Sequence, residues 1–125
     1  MKIVAIDFDG TLVQEKFPDI GDPIPNMVEL CKKINKDPNY KLILWTCREG
    51  KQLEDALAWC KNQGITFDAV NDNLEEIKNE WHQNVRKIYC DVYIDDKNLV
   101  PYGELDFERV RSICENSTRS QNTIS

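Results

Sequence analysis

The sequence predicts an α/β fold, a doubly wound parallel sheet sandwiched by helices in the Rossmann-like manner, and three observations lead to it. Short β-favouring apolar runs alternate along the chain with stretches of helical periodicity. The runs are apolar throughout, as strands covered on both faces must be. Each run also passes directly into polar or acidic residues.

Ile3-Val4-Ala5-Ile6 is the first run, and it ends in the acidic, glycine-bearing turn Asp7-Phe8-Asp9-Gly10. Pro23-Ile24-Pro25 then marks the start of a helix whose apolar positions Met27, Leu30, Cys31 and Ile34 fall at i, i+3, i+4 and i+7. Lys41 to Trp45 is the second strand, ending at Thr46. Leu53, Ala56, Leu57 and Cys60 repeat the helical spacing, with Gly64 as a stop signal. Thr66 to Val70 reads as a third, shorter strand. Asp72 or Asn73 starts a helix through Leu74, Ile77 and Trp81, Ile88 to Ile94 is a fourth strand ending at Asp95-Asp96, and Phe107, Val110 and Cys114 mark a last helix. Alternation of this kind joins parallel strands by right-handed crossovers. Ligands of such sheets bind outside the carboxyl ends of the strands, so Asp7, Thr46 and Asp95 are expected to converge.

The chain of 125 residues has room for one core, expected over residues 1–115, with a polar, aperiodic and flexible tail at 116–125. A composition of 41% hydrophobic and 30% charged residues suits a soluble globular domain. The formal net charge of −6 argues against stable nucleic-acid binding, which needs a net basic face. Five cysteines, odd in number and without a CxxC pair, suggest neither a disulfide framework nor a zinc site, and are expected as reduced, mostly buried thiols. The apolar start is too short for a signal-peptide core, and no run approaches the length of a membrane span. A cytoplasmic location and no membrane partner are expected.

Asp7 and Asp9 lie two residues apart after a buried strand, where both can turn toward one pocket. Two like charges so close together call for a cation or a shared proton, and Mg²⁺ suits an all-oxygen site. Each residue alone has a plainer reading: an Asp after a strand usually caps a turn, a Thr ends a strand, a Lys is solvated. Their combination is more specific. Asp7-Phe8-Asp9-Gly10-Thr11-Leu12 resembles the first motif of the haloacid dehalogenase superfamily, Leu44-Trp45-Thr46 its second, and Tyr93-Ile94-Asp95-Asp96 its fourth. The third motif, a lone basic residue before the fourth strand, is matched best by Lys87, with Arg86 and then Lys78 as competitors.

This resemblance, over residues 1–115, implies a Mg²⁺-dependent phosphohydrolase working through an aspartyl-phosphate. By it, Asp7 is the nucleophile and Asp9 the general acid and base. Thr46 binds the phosphoryl oxygens, Lys87 neutralises Asp7 and the transferred group, and the metal is held by Asp7, Asp9 through its main-chain carbonyl, Asp95 and Asp96. Arg48, two residues past Thr46, suits a bidentate phosphate contact and equally a surface salt bridge. His82 lacks any partner pattern and is left out of catalysis, and Asp91, within the fourth strand, suggests a structural or supporting role.

Most superfamily members acting on small metabolites carry a cap domain, for which this chain has no room. An open site is therefore expected. The substrate would be a phosphorylated macromolecular end or a small molecule such as a nucleotide, with a neighbouring subunit of a homo-oligomer as an alternative lid. Two other readings remain: a non-catalytic phosphate-binding or regulatory module on the same fold, and a receiver domain. The receiver's phosphorylated Asp lies on the third strand, whereas here the acidic signature follows the first.

Overall fold

A computed structural model describes residues 1–76, 90–95 and 107–115. Among these, strands β1 (Lys2–Ile6), β2 (Tyr40–Leu44), β3 (Ala69–Val70) and β4 (Val92–Ile94) form a parallel sheet in the order β3-β2-β1-β4. Helices α1 (Pro25–Lys36), α2 (Gly50–Asn62) and α3 (Phe107–Glu115) flank it. The fold is α/β, as the alternation predicts.

Both faces of β1 are covered. Val4 and Ile6 join Leu42, Leu44, Val92 and Ile94 on one face, against Met27, Leu30, Cys31 and Ile34 of α1, Ala56 and Cys60 of α2, and Val110 and Cys114 of α3. Ile3, Ala5 and Ile43 form a second cluster with Leu74 and Cys90 on the other. Ile3 to Ile6 are all fully buried, and each of the larger side chains among them contributes about 1.5–3 kcal/mol. From β1 through β2 to β3 the sheet grows in one direction, which places α1 and α2 on the same face. β4 lies on the other side of β1. The crossover leading to it reverses direction, and Leu74, in its described first part, packs on the opposite face. The strand order therefore reverses between β1 and β4, where sheets of this type bind ligands.

Local chemistry sets the element ends. Pro25 occupies the first turn of α1, where no amide partner is lost, and Ile24 precedes it as the N-cap residue. At the expected Gly64 stop, the Ile65 N–H donates to the Cys60 carbonyl at 2.9 Å and the Gly64 N–H to Lys61 at 3.0 Å, the double bond of a Schellman end. Two strands are shorter than expected. β3 begins at Ala69 because the Thr66 backbone bonds the Asn35 side chain on α1 instead, its N–H and carbonyl each 2.9 Å from that amide. The expected fourth strand, Ile88 to Ile94, is realised as Val92–Ile94, and its first two residues lie outside the described residues.

Candidate active site

β1 delivers the first acidic pair. The Asp7 N–H still donates to the Ile94 carbonyl at 2.9 Å, so Asp7 prolongs the β1–β4 ladder and follows the Ile6–Ile94 register pair, as Asp95 does on β4. The chain then turns sharply: the Thr11 and Leu12 N–H groups donate back to the Phe8 carbonyl at 3.2 and 2.9 Å, with Gly10 at φ 80°. That left-handed conformation is open to glycine at no steric cost. Within this turn the Phe8 N–H donates to Asp7 Oδ1 at 2.7 Å.

β2 delivers the next residues. The Thr46 N–H donates to Asn71 Oδ1 at 2.7 Å, and Thr46 Oγ1 accepts the Arg48 N–H at 3.2 Å. Asn71, at φ 51°, adopts a conformation Asn tolerates better than most residues, and it holds the Thr46 loop in place. Asp7, Asp9, Thr46 and Arg48 line one cleft of about 300 Å³. Its volume lies at the small end of ligand pockets, which begin at about 300 Å³. Asp95, half-buried, follows β4 at the position alongside the cleft residue Asp7 in register.

Arg48 takes a different part from the phosphate contact or surface salt bridge expected of it. It is 2% exposed, and its guanidinium forks onto Asp9, Nε to Oδ2 at 2.7 Å and Nη2 to Oδ1 at 2.8 Å. Nη2 also donates to the Asp19 carbonyl at 2.9 Å, and Nη1 to the carbonyls of Pro18 and Gln52, both at 3.3 Å. These five bonds use all the N–H donors a guanidinium has. The rings of Phe8 and Phe17 each lie 5.1 Å from its central carbon, and Asp9 raises its pKa above the ordinary arginine value. An arginine following a strand reads as solvated, and nothing local signals that a loop will close over it.

That loop also forms the outer wall of the cleft. Its ends meet where the Gln14 N–H donates to Asp22 at 2.8 Å and the Ile24 N–H to Leu12 at 2.9 Å. Gly21 packs so tightly there that a Cβ would fall 2.0 Å from the Gln14 carbonyl oxygen. Glu15 and Phe17 of this loop, with Cys47, complete the lining, and none of the three carried a sequence signal. Phe17 is exposed by 54%, a large apolar side chain at the mouth.

The field at this end of the sheet is negative. Burial pushes the Tyr93 hydroxyl up, and the charges of Asp7 and Asp95 push it further. The oxygen donors, two strand-end carboxylates and the Asp9 main-chain carbonyl, suit Mg²⁺, which takes one or two carboxylates and completes its shell with water and phosphate oxygens. Among the described residues, no three His, Cys, Asp or Glu side chains stand close enough to form an ion site on their own. Asp96, Lys87, Arg86, Lys78 and His82 lie outside the described residues.

Asp91 is structural. It is 1% exposed and its Oδ2 accepts the Ile3 N–H at 2.7 Å. All five cysteines are free and four are buried, Cys47 being the exposed one.

A conserved protein from Bacteroides thetaiotaomicron has the same fold, with a TM-score of 0.75 and 37% identity over 94% of this chain and 93% of that one. The chain belongs to the family of that Bacteroides protein. This family relationship extends over nearly the whole chain and names no reaction. An 80-residue stretch, 64% of the chain, is 30% identical to the "Probable alpha,alpha-trehalose-phosphate synthase [UDP-forming] 8" of Arabidopsis thaliana, and the chain spans 9% of that protein's length. No family model matches the sequence. Among the described residues, no helix is long and apolar enough to cross a membrane.

Proposed function

We propose that the protein is a Mg²⁺-dependent phosphomonoesterase of the haloacid dehalogenase type, acting through an aspartyl-phosphate on Asp7. The observation that carries this reading is the meeting of Asp7, Asp9 and Thr46 in one cleft, beside Asp95 and at the strand-order reversal of the sheet. Four residues from three separate segments, matching three motifs of one superfamily, arrive where a parallel sheet binds ligands.

In this mechanism a phosphate monoester enters with its leaving-group oxygen toward Asp9. The Asp7 carboxylate attacks phosphorus in line, the ester P–O bond breaks, and its electron pair leaves with the oxygen, which takes the proton that Asp9 carries when it enters the reaction in its acid form. Water then attacks phosphorus of the aspartyl-phosphate, Asp9 takes a proton from it, and the bond to Asp7 breaks, releasing inorganic phosphate and restoring the Asp7 carboxylate. Thr46, its hydroxyl oxygen already accepting the Arg48 N–H, has its hydroxyl hydrogen to offer a phosphoryl oxygen. Lys87 would meet the remaining phosphoryl charge. Asp7, Asp95, the Asp9 carbonyl and Asp96 would hold Mg²⁺. The ion would offset the repulsion between carboxylate and phosphate that otherwise opposes the attack.

The open cleft admits a small phosphate ester, a phosphorylated macromolecular end, or a substrate covered by a second copy of the chain. The partial match to a trehalose-phosphate synthase adds sugar phosphates to the nucleotides as substrates to assay. A cytoplasmic location accords with the five free thiols. The test is hydrolysis of an aryl phosphate, with Mg²⁺ or EDTA, by the native chain and by Asp7→Asn. Turnover that needs the metal and vanishes in the variant is expected. Full activity in Asp7→Asn would remove the nucleophile and the reading with it.

A further inference from the structure

We propose that Arg48 is a positioning residue that holds Asp9 and the Phe17–Asp19 segment as one unit, aiming the Asp9 carboxylate at the leaving-group oxygen. This rests on the phosphohydrolase reading and adds to it a residue that reaches neither phosphate nor metal.

The geometry is specific. A carboxylate within a sharp glycine turn has rotational freedom, and a fork of two parallel N–H bonds at 2.7 and 2.8 Å removes it by fixing both oxygens at once. The fork is itself fixed. Its remaining three N–H groups go to main-chain carbonyls, those of Pro18 and Asp19 on the cleft-wall loop and that of Gln52 on α2. Phe8 and Phe17 hold its faces. Phe8 is held in turn by an edge-on contact with Trp59 of α2, ring centres 5.7 Å apart. Asp9 is thus referenced to α2 and to the cleft wall as well as to β1. A group reacting with an atom of the substrate gains most of its rate from being held in place.

Arg48 donates every N–H to the protein, so it has none left for a phosphate oxygen. Its effect on the reaction must then pass through Asp9. Lysine keeps the charge and loses the planar fork, so Arg48→Lys separates orientation from charge.

Proton donation to the leaving group matters greatly for an alkyl phosphate, whose departing alkoxide is a strong base, and little for p-nitrophenyl phosphate, whose phenolate departs unaided. Asp9 also serves the later hydrolysis of the aspartyl-phosphate, which is common to both esters, so the selectivity of a positioning defect is read in kcat/KM, which covers only the steps up to that intermediate; loosening of the fold is not selective there. We expect kcat/KM of Arg48→Lys to fall at least tenfold more on an alkyl phosphomonoester than on p-nitrophenyl phosphate. Asp9→Asn should show the same selectivity, and the double variant should lose no more than Asp9→Asn alone. Arg48→Gln, which keeps one planar amide, provides a second substitution, and urea midpoints show that the variants tested are folded. Equal losses of kcat/KM on both substrates, or additive losses in the double variant, would overturn the assignment while leaving the reaction class intact. If the native chain shows no Asp7-dependent turnover of either ester, the phosphohydrolase reading fails and this role fails with it.

Discussion

Asp68 and Asp91 stand immediately before the outer strands β3 and β4, whereas Asp7 and Asp95 stand immediately after β1 and β4, and the same side chain behaves differently at the two ends of the sheet. At the amino end, each carboxylate is joined to the neighbouring strand. The Asp91 N–H donates to the Ile3 carbonyl at 2.8 Å while its Oδ2 accepts the Ile3 N–H at 2.7 Å. Asp68 repeats the arrangement on Leu42, both bonds at 2.8 Å. These two acids fix where the outer strands meet the inner ones. At the carboxyl end, Asp7 and Asp9 line a cleft with Asp95 beside it, and Asp9 is engaged by an arginine brought from β2's end. A carboxylate bonded to the main chain of the neighbouring strand serves the fold; a carboxylate lining a cleft can serve chemistry.

The sharpest way to break that contrast is Asp7→Asn. The amide keeps an oxygen for the Phe8 N–H. Turnover should fall by about 10³-fold or more, as expected when a nucleophile is removed, while stability to urea stays within about 0.5 kcal/mol. A variant that instead unfolds easily would place Asp7 with the structural acids. Asp91→Ala should do the reverse, costing about 1–3 kcal/mol because a buried N–H loses its acceptor, with kcat of the folded protein unchanged. Urea unfolding beside an assay at low denaturant distinguishes the two.

Alkaline pH sharpens the contrast, because Cys90 sits next to Asp91 at the amino end. Burial, then the Asp91 charge, pushes its thiol up from 9.0 to about 12, and burial alone takes Cys60 to about 12. Between about 9 and 12 the unfolded chain releases these protons and the folded chain keeps them, so stability should be intact below pH 9 and fall as pH rises toward 12. Urea midpoints at pH 8, 9.5 and 10.5 test this, and a flat series would contradict it. The smallest effect is expected of Asp68→Ala. Asp68 is 38% exposed and also lies 3.9 Å from Lys41 Nζ. Its loss should cost below about 1 kcal/mol in the urea midpoint, since solvent screens its ion pair and can replace its hydrogen bond.

Much of the carboxyl end was legible because its signals are local. An apolar run, an Asp-x-Asp-Gly turn and a strand ending in Thr are each contained within a few residues, and they place Asp7, Asp9 and Thr46 correctly at strand ends. The position of Asp91 suggests a structural or supporting role without choosing between them, and nothing local points to its partner Ile3, 88 residues earlier. Arg48 was read from charge and position alone, and its burial depends on Phe17 and two carbonyls of a loop 29 and 30 residues away. The shortened β3 follows from Asn35, whose side chain takes the Thr66 backbone, a competition no pattern within residues 66–70 expresses.

By itself, then, the sequence determined the alternation of strands and helices, the buried faces, and the acids at the strand ends. These depend on side-chain periodicity and turn chemistry, which act over a few residues. Tertiary structure alone decided the order β3-β2-β1-β4, the register that sets Asp95 beside Asp7, and the fork of Arg48 on Asp9. Those depend on which surfaces meet once the crossovers close, and the energy that selects them resides in contacts between segments far apart in the chain.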